Sequence, residues 1–370
     1  MRIAFICGSI EPGYDGVGDY TRRLAGALIR QGHEVKAIAI NDYYVKAITE
    51  GLLSADGTGV NVCRMPSVTP QAERFAYLGK QIAEFSPQWI SLQFVPFSFN
   101  DKGLSVKLAS YLKKAGNGCN WHIMFHELWV GIDGKAKLKH KLLGKLQKML
   151  IYRLVSHLKP RIITTSISLY KNSLSHIAVQ ILPLFSNIPM VDQGSTQANP
   201  SNSFRVIHFG TFTNALNEFG AQLEYIKKVA EATGKNVQFV SIGEGGGGKM
   251  AALNLAKEVF VPPTVIEMGR MADNDIASQL LKSDMGVSRA DISMYGKSGS
   301  TLAMLEYGLP VLLRGSVNDD EINTIENNFY QDQIFFPDQK QLNLPARKSP
   351  KSNLENIATI FTGFLSVACK

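Results

Sequence analysis

Short apolar runs alternate with helical patterns along almost the whole chain, and this alternation limits the folds that the sequence can adopt. In the first half, the strand-like runs cover residues 2–8, 35–40, 89–95, 121–126, 161–166 and 179–184. In the second half, they cover residues 204–210, 237–243, 264–269, 285–290, 310–315 and 334–337. Because helical segments separate most of these runs, the pattern predicts parallel sheets covered by helices on both faces.

A polar segment interrupts the pattern near the middle of the chain. Residues 191–203 are rich in Gly, Pro, Ser and Asn and have no hydrophobic periodicity, so we interpret them as a linker. The length of 370 residues fits two domains of roughly 100–200 residues each. We therefore predict two doubly wound, Rossmann-like α/β domains at 1–190 and 204–350, followed by a helix within 351–370. Two such domains facing each other would form a cleft lined by strand-end loops.

Charge and composition narrow the possible partners. The net charge of +8 and the pI of about 9.1 favour anions such as phosphates, nucleotides, nucleic acids or a membrane surface. No apolar run reaches roughly 18 residues, and the first residues lead directly into a strand pattern, so we expect a cytoplasmic protein. The four cysteines have no zinc-site spacing, and no metal or other cofactor is expected.

A glycine loop follows the first strand. Gly16, Val17 and Gly18 come just after Asp15 and open a helical pattern. Glycines let a ligand approach the backbone, and a helix start favours negative charge. Thr21 stands where a dinucleotide fingerprint needs its third glycine, so that motif is absent. An ordinary turn remains an alternative interpretation.

Two further strand ends carry candidate ligand-binding groups. His126 and Glu127 follow the strand at 121–126, where an imidazole can donate a hydrogen bond or exchange a proton, although a structural histidine is an alternative. Gly243 and Glu244 open "GEGGGGKM", which matches the Gly-x-Gly-x-x-Gly spacing. No acidic residue closes a strand about 20 residues later, so this match is weak and a mobile glycine loop is the alternative.

The segment "YGKSGSTLAMLEYGLP" at 295–310 is the strongest ligand-binding signal. It joins a hydroxyl-rich loop to an apolar helix, and a helix start of this kind can hold a phosphate. The candidate ligands are the backbone and hydroxyl groups of Ser298, Gly299, Ser300 and Thr301, with positive charge from Lys297 and Arg289. Asp291 stands where a Walker A loop needs glycine. An ordinary capped helix is the alternative.

A possible metal motif occurs at Asp273-Asn274-Asp275, which fits the Asp-x-Asp pattern of metal-dependent sugar-nucleotide enzymes. The residues that follow have a helical pattern. We therefore interpret the acidic residues as a capped helix start and predict no metal site.

In this order, the features resemble the GT-B glycosyltransferases, especially the GT4 family of retaining enzymes (glycosyl transferases group 1). The resemblance covers nearly the whole chain and rests on the Gly16–Gly18 loop, His126 and residues 283–311. It implies two Rossmann-like domains across a cleft and a final helix that returns to the N-terminal domain. It also implies metal-independent transfer of a hexose from a nucleotide-diphosphate sugar to a carbohydrate or lipid-linked acceptor, in cell-surface glycan, polysaccharide or glycolipid synthesis.

The resemblance assigns roles to several residues. His126 matches a histidine that contacts the donor sugar, with Glu127 beside it, and the helix start at 298–301 matches the diphosphate site. Tyr295 and Ala303 stand where the family has two glutamates. Glu306, one turn beyond Ala303, is therefore assigned with Gly243 and Glu244 to the ribose and base.

The family also has an Arg and a Lys after the first strand of the second domain, and "HFGTFTNALNEFG" has neither. These departures make a non-catalytic GT-B-like binding or partner protein the alternative.

A basic segment at 134–161 contains nine Lys and Arg residues and no acidic residue. Leu138, Leu142, Leu146, Leu150 and Leu154 recur every four residues, and this spacing predicts an apolar face buried in the core. We predict that the basic face contacts an anionic membrane surface through Lys135, Lys137, Lys141, Lys145 and Lys148, on the inner side of the membrane. A docked helix with a solvated basic face is the alternative. No nucleic-acid motif occurs, and no nucleic-acid partner is expected.

Overall fold

The structure is a computed structural model that describes residues 1–116, 118–132, 137–191, 203–212, 216–260, 264–316, 329–338, 342 and 344–368. Its contacts divide the chain into a first unit, Met1–Pro183 with Leu354–Lys370, and a second unit, Leu184–Asn353. Most of the predicted linker, residues 192–202, lies outside the described residues. The last helix belongs to the first unit, which confirms the predicted return of the chain.

The first unit is built on an eight-stranded sheet with the order β3-β4-β2-β1-β5-β6-β7-β8. Every neighbouring pair is parallel except β3 and β4, which form an antiparallel hairpin. The strands are β1 (Arg2–Cys7), β2 (Glu34–Asp42), β3 (Thr49–Ala55), β4 (Thr58–Pro66), β5 (Trp89–Phe94), β6 (Asn120–Phe125), β7 (Ile162–Thr165) and β8 (Gln180–Ile181).

Helices cover this sheet. They are α1 (Gly16–Arg30), α2 (Gln71–Phe85), α3 (Pro96–Phe99), α4 (Leu108–Ala115), α5 (Leu138–Leu158), α6 (Ser168–Ser173) and the C-terminal α11 (Leu354–Val367). Phe361 of α11 stacks on Phe5 at 5.7 Å between ring centroids and meets His122 edge-on at 5.2 Å. Glu355 pairs with Arg30 at 2.6 Å. Helix α11 therefore contributes to the core of the first unit.

The second unit contains a six-stranded parallel sheet with the order β11-β10-β9-β12-β13-β14. Its strands are β9 (Ser203–Phe209), β10 (Asn236–Ile242), β11 (Val265–Gly269), β12 (Met285–Val287), β13 (Val311–Leu312) and β14 (Ile334–Phe335). Its described helices are α7 (Leu216–Thr233), α8 (Lys249–Val259), α9 (Asp273–Leu281) and α10 (Gly299–Glu306). The predicted α/β class with two mainly parallel sheets is confirmed.

A glycine follows the end of helix α10, and the segment around Lys348 packs against it. Gly308 has a φ of +79°, and a Cβ atom at this position would lie 2.0 Å from the carbonyl oxygen of Lys348. The Gly308 carbonyl accepts the Lys348 N–H at 2.9 Å, and the Glu306 carbonyl accepts the Lys351 N–H at 2.8 Å. Only glycine combines this backbone conformation with such a close approach.

Candidate functional site

The start of α10 is built from hydroxyl groups, as the sequence predicts. Ser298 is the N-cap, and its Oγ accepts the Thr301 N–H at 3.3 Å and the Thr301 hydroxyl at 2.8 Å. Thr301 also shares a 2.6 Å hydrogen bond with Ser288, which follows strand β12. The Ser300 hydroxyl lies 3.3 Å from that of Ser298. This network fixes the helix start at the carboxyl edge of the sheet, where α/β sheets bind ligands.

Two glycines bring neighbouring strand ends against this helix start. A Cβ atom on Gly210, after β9, would lie 3.0 Å from Ser300 Oγ. A Cβ atom on Gly243, after β10, would lie 2.6 Å from the Gly210 carbonyl oxygen. Both glycines have positive φ values, +125° and +124°. The loops after β9 and β10 and the start of α10 therefore meet in one place within the second unit.

The loop after β10 is packed against the loop after β9. The Phe212 N–H donates to the Gly245 carbonyl at 3.0 Å, and a Cβ atom on Gly246 would meet the Phe212 carbonyl oxygen at 2.1 Å. Glu244 is exposed between these contacts. The loop thus packs Gly243 on Gly210 and leaves the Glu244 side chain in solvent.

The two predicted cations have different surroundings. Arg289 is buried, donates to Gln222 Oε1 at 2.7 Å and lies over the Phe219 ring at 5.1 Å. Burial, with a further contribution from Arg314, lowers the pKa of Arg289 to about 10, so the guanidinium stays charged at neutral pH. Lys297 is half-buried in a single 3-10 turn before Ser298. The guanidinium group of Arg289 therefore contacts α7, through Gln222 and Phe219.

Tyr295 and Ala303, the two positions where the GT4 resemblance implies glutamates, lie in the core of the second unit. Tyr295 and Ala303 belong to one buried apolar cluster with Leu302, and burial raises the pKa of Tyr295. Glu306 is 2% exposed, and its Oε1 accepts the Ser186 N–H at 3.1 Å and the Tyr330 hydroxyl at 3.3 Å. It is the last residue of α10, roughly 10 Å along the helix from Gly299.

The predicted glycine loop of the first unit is capped by the chain itself. Asp15 is the N-cap of α1 and accepts the Gly18 N–H at 2.7 Å, and burial raises the pKa of this carboxyl group. A Cβ atom on Gly18 would lie 2.7 Å from the Ser9 carbonyl oxygen. Asp19 accepts the Gly13 N–H at 3.1 Å. Val17 is half-buried and Gly16 is exposed. The Gly18 N–H is therefore already used by Asp15 and the Gly13 N–H by Asp19, which also pairs with Arg22 at 2.9 Å.

His126 lies in a buried polar network at the end of β6. It is 5% exposed, donates from Nε2 to Gln93 Oε1 at 2.8 Å and meets the Tyr20 ring edge-on at 4.9 Å. Gln93 Nε2 donates to Ser91 Oγ at 2.7 Å, and Ser91 lies 2.7 Å from His122 Nδ1. The half-buried Glu127 follows. The network fixes the orientation of the His126 imidazole.

The leucine stripe of α5 is not the buried face that we predict from the sequence. Exposure falls along the stripe, from 84% at Leu138 through Leu142 and Leu146 to 2% at Leu154. A step of four residues advances about 40° around a helix, so the stripe turns from solvent to core. The exposed ridge of α5, Leu138, Leu142, Leu146 and Met149, lies beside exposed lysines at Lys137, Lys141, Lys145 and Lys148. Lys135 lies outside the described residues.

The Asp-x-Asp segment begins a helix, but its first aspartate is not the cap. The N-cap of α9 is Ala272. Asp273 and Asp275 lie in the first turn, where the helix dipole stabilises carboxylates. Among the described residues, no group of three or more His, Cys, Asp or Glu side chains is arranged to hold a metal ion. Within the same part of the chain, no helix has the length and apolar character needed to cross a membrane.

Comparisons with known proteins identify the fold. No family model matches the chain, and no curated protein matches it in sequence. Among solved structures, sucrose-phosphate synthase from Thermosynechococcus elongatus matches with a TM-score of 0.58 and 13% identity, over 100% of this chain and 90% of its own.

Two ligand-bound structures also match. The catalytic domain of starch synthase IV from Arabidopsis thaliana, bound to ADP and acarbose, has a TM-score of 0.53 and 14% identity, covering 99% of this chain and 94% of its own. HepE from Anabaena, in complex with UDP and glucose, has a TM-score of 0.52 and 12% identity, covering 100% and 92%. With its eight-stranded and six-stranded sheets and returning helix, the chain has the GT-B fold.

Proposed function

We propose that this protein is a glycosyltransferase that moves a sugar from a nucleotide-diphosphate donor to a hydroxyl acceptor. The observation that carries this proposal is the start of α10, where hydroxyls and backbone N–H groups meet the glycine ends of β9 and β10. Support comes from the fold and from solved neighbours bound to UDP and glucose or to ADP and acarbose.

The donor diphosphate is assigned to the helix start. The N–H groups of Gly299 and Ser300 and the Ser298 and Ser300 hydroxyls would bind its oxygens, with Lys297 and Arg289 contributing positive potential. Such preorganised donors stabilise the charge that develops on the departing diphosphate. Thr301 is left out, because its N–H and its hydroxyl both donate to Ser298 Oγ. Gly243 and Glu244 would lie towards the nucleoside. Glu306 is left out, because its carboxylate lies inside the unit and accepts two hydrogen bonds there.

In the first unit, His126 would position the transferred sugar, since Gln93 and Tyr20 hold its ring. Glu127 is retained beside it as a candidate acid–base group. We assign the Gly16–Gly18 loop to a neutral acceptor, because the Gly18 N–H, which could bind a phosphate, already donates to Asp15. The retaining, metal-independent character and the role in glycan or glycolipid synthesis rest on the GT4 resemblance alone.

The test is a calorimetric titration of the purified chain with UDP, ADP and GDP in the presence of EDTA. We expect one of them to bind, and Ser300→Ala to weaken its binding about tenfold, because one hydrogen bond to a charged phosphate is lost. Ser293→Ala, which removes an exposed hydroxyl bonded to Asp291, is the control and should bind normally. Absence of binding by all three diphosphates would contradict the proposal.

The burial of Tyr295 and Ala303 favours one alternative, a nucleotide-sugar-binding protein without transferase activity. The two functions separate once the bound nucleotide is known. If the protein is an enzyme, incubation with the glucose conjugate of the nucleoside diphosphate that binds should release the free nucleoside diphosphate. Binding of that donor with no release, in the presence of varied sugar acceptors, would favour the alternative.

We further propose that α5 docks on an anionic membrane surface. The exposed α5 ridge supplies apolar side chains, and the lysines beside it match anionic lipid headgroups. We expect vesicles containing phosphatidylglycerol to bind the protein more tightly than pure phosphatidylcholine vesicles, and added salt to weaken this binding.

The double variant Leu142→Glu, Leu146→Glu should reduce vesicle binding about tenfold or more, because it removes two apolar contacts and adds repulsion. Leu52→Glu, at an exposed leucine of the β3 edge strand, is the matched control. Vesicle binding that does not change with salt or with the ridge variant would refute membrane docking by α5.

A further inference from the structure

The first residue of α8, Lys249, is bonded to the loop that follows β10. Lys249 is largely buried, and its Nζ donates to the Gly243 carbonyl oxygen at 2.7 Å and pairs with Glu267 at 2.5 Å. Glu267 is half-exposed on β11. Lys249 follows the glycine run at 245–248. Only Gly243 and Glu244 of this loop are among the site residues that the sequence predicts.

Backbone contacts connect Lys249 to the helix start. Its anchor, Gly243, packs directly on Gly210, and Gly210 packs on the Ser300 hydroxyl. The ammonium group is therefore bonded to the loop after β10, which contacts the loop after β9, and that loop in turn contacts the start of α10. A flexible four-carbon stem lets an ammonium group held at this point turn between neighbouring anions.

The other cations at this edge include the half-buried Lys297, just before α10, and the exposed Arg270, just after β11. The sequence from Gly210 to Gly220 contains no Lys or Arg, and Arg289 is turned towards Gln222 and Phe219. His208, on β9, is 1% exposed, and its Nδ1 has no hydrogen-bond partner among the described residues; the same is true of Ser241 Oγ beside it on β10. Burial, Arg289 and Lys249 together lower the pKa of His208 to about 3. Arg289 and Lys249 thus both act on this buried imidazole of β9.

We infer that Lys249 is a further charge partner of the donor diphosphate, in addition to Lys297 and Arg289, and that Glu267 pairs with it until the ligand binds. This inference rests on the proposed function. In the free protein, Glu267 and the Gly243 carbonyl hold the ammonium group. On binding, a phosphate oxygen replaces the Glu267 carboxylate, which is exposed enough to be rehydrated.

The experiment compares Lys249→Met, Glu267→Gln and a control, Lys257→Met, which removes a lysine from the last turn of the same helix. Binding of UDP and UMP, and of ADP and AMP, is measured by calorimetry at two salt concentrations. Lys249→Met should weaken diphosphate binding about tenfold or more, affect monophosphates less and reduce the salt dependence. Glu267→Gln should strengthen diphosphate binding, and Lys257→Met should change nothing.

The outcomes separate this inference from the proposed function. If Lys249→Met binds diphosphates normally while Ser300→Ala does not, Lys249 is not a charge partner and the proposed function stands. If the wild-type chain binds no nucleotide, the proposed function itself fails. If Lys249→Met does not fold, Lys249→Arg and Glu267→Gln replace it. The inference would be overturned if Glu267→Gln bound diphosphates with unchanged affinity and Lys249→Arg lost the same affinity for monophosphates as for diphosphates.

Discussion

Replacing Gly308 by alanine should destabilise the second unit by about 3 kcal/mol or more. An alanine in the left-handed conformation costs about 1–2 kcal/mol, and overlap with packed neighbours adds about 1–3 kcal/mol. The overlap here is with a backbone carbonyl, that of Lys348, which cannot rotate away as a side chain could. The end of α10 and the segment that follows Lys348 should therefore loosen together.

Gly315→Ala is the matched control for this effect. Gly315 also has a positive φ, +90°, but a Cβ atom there would have no neighbour within 4 Å among the described residues. It should lose only about 1 kcal/mol. All three tryptophans lie in the first unit, so amide hydrogen exchange in β9, β10 and β12 is the suitable measurement. Equal losses in the two variants would show that Gly308 does not approach Lys348 as closely as described.

Lowering the pH from 7 to 5 should destabilise the second unit by about 2 kcal/mol through His208 alone. Burial and nearby cations lower the pKa of this imidazole to about 3 in the folded chain, against about 6.5 when unfolded. Above pH 6.5 both states are neutral, and the group has no effect on stability. Below it, the unfolded chain binds a proton that the folded chain excludes, so stability falls by about 1.4 kcal/mol per pH unit down to about pH 3.

His208 is the only histidine between Leu184 and Asn353, which makes the test specific. His208→Phe keeps an aromatic ring beside Phe212 but cannot titrate, so the stability of the second unit should vary much less between pH 5 and 7. His140→Gln, on the exposed side of α5, should leave this dependence unchanged. Hydrogen exchange in β9 and β10 at both pH values measures the effect. Equal stability of the wild-type unit at pH 5 and 7 would contradict the burial of a neutral His208.

Buried parallel strands were predictable because both of their faces are covered, which produces continuous apolar runs such as those of β1, β5 and β6. The β3–β4 hairpin was missed, since β3 is an edge strand whose side chains are mostly exposed and carry little hydrophobic signal. A signal was present in "SADGTGV". Asp56-Gly57 forms the two-residue turn with positive φ values, +48° and +78°, that such hairpins favour.

Some features of the candidate site depend on residues that are close in sequence, and others depend on contacts between distant residues. The capping role of Ser298 is local and could be predicted from a hydroxyl before an apolar helix. The pairing of Lys249 with Glu267 joins residues on different elements and depends on how β10 and β11 align, which spacing cannot reveal. In α5 the four-residue leucine repeat was visible in the sequence. Each step of this repeat advances about 40° around the helix, and this advance determines which leucines are buried.

The membership of α11 in the first unit has a consequence for synthesis of the chain. Domains of a nascent protein generally fold in order from the N-terminus as they leave the ribosome. The first unit cannot do so completely, because Phe361 and Glu355 emerge only after all of the second unit has been translated. Until then, the surface around Phe5 and His122 is uncovered. A fragment ending at Pro183 should share this defect, and a synthetic peptide of residues 354–368 added in trans should repair it.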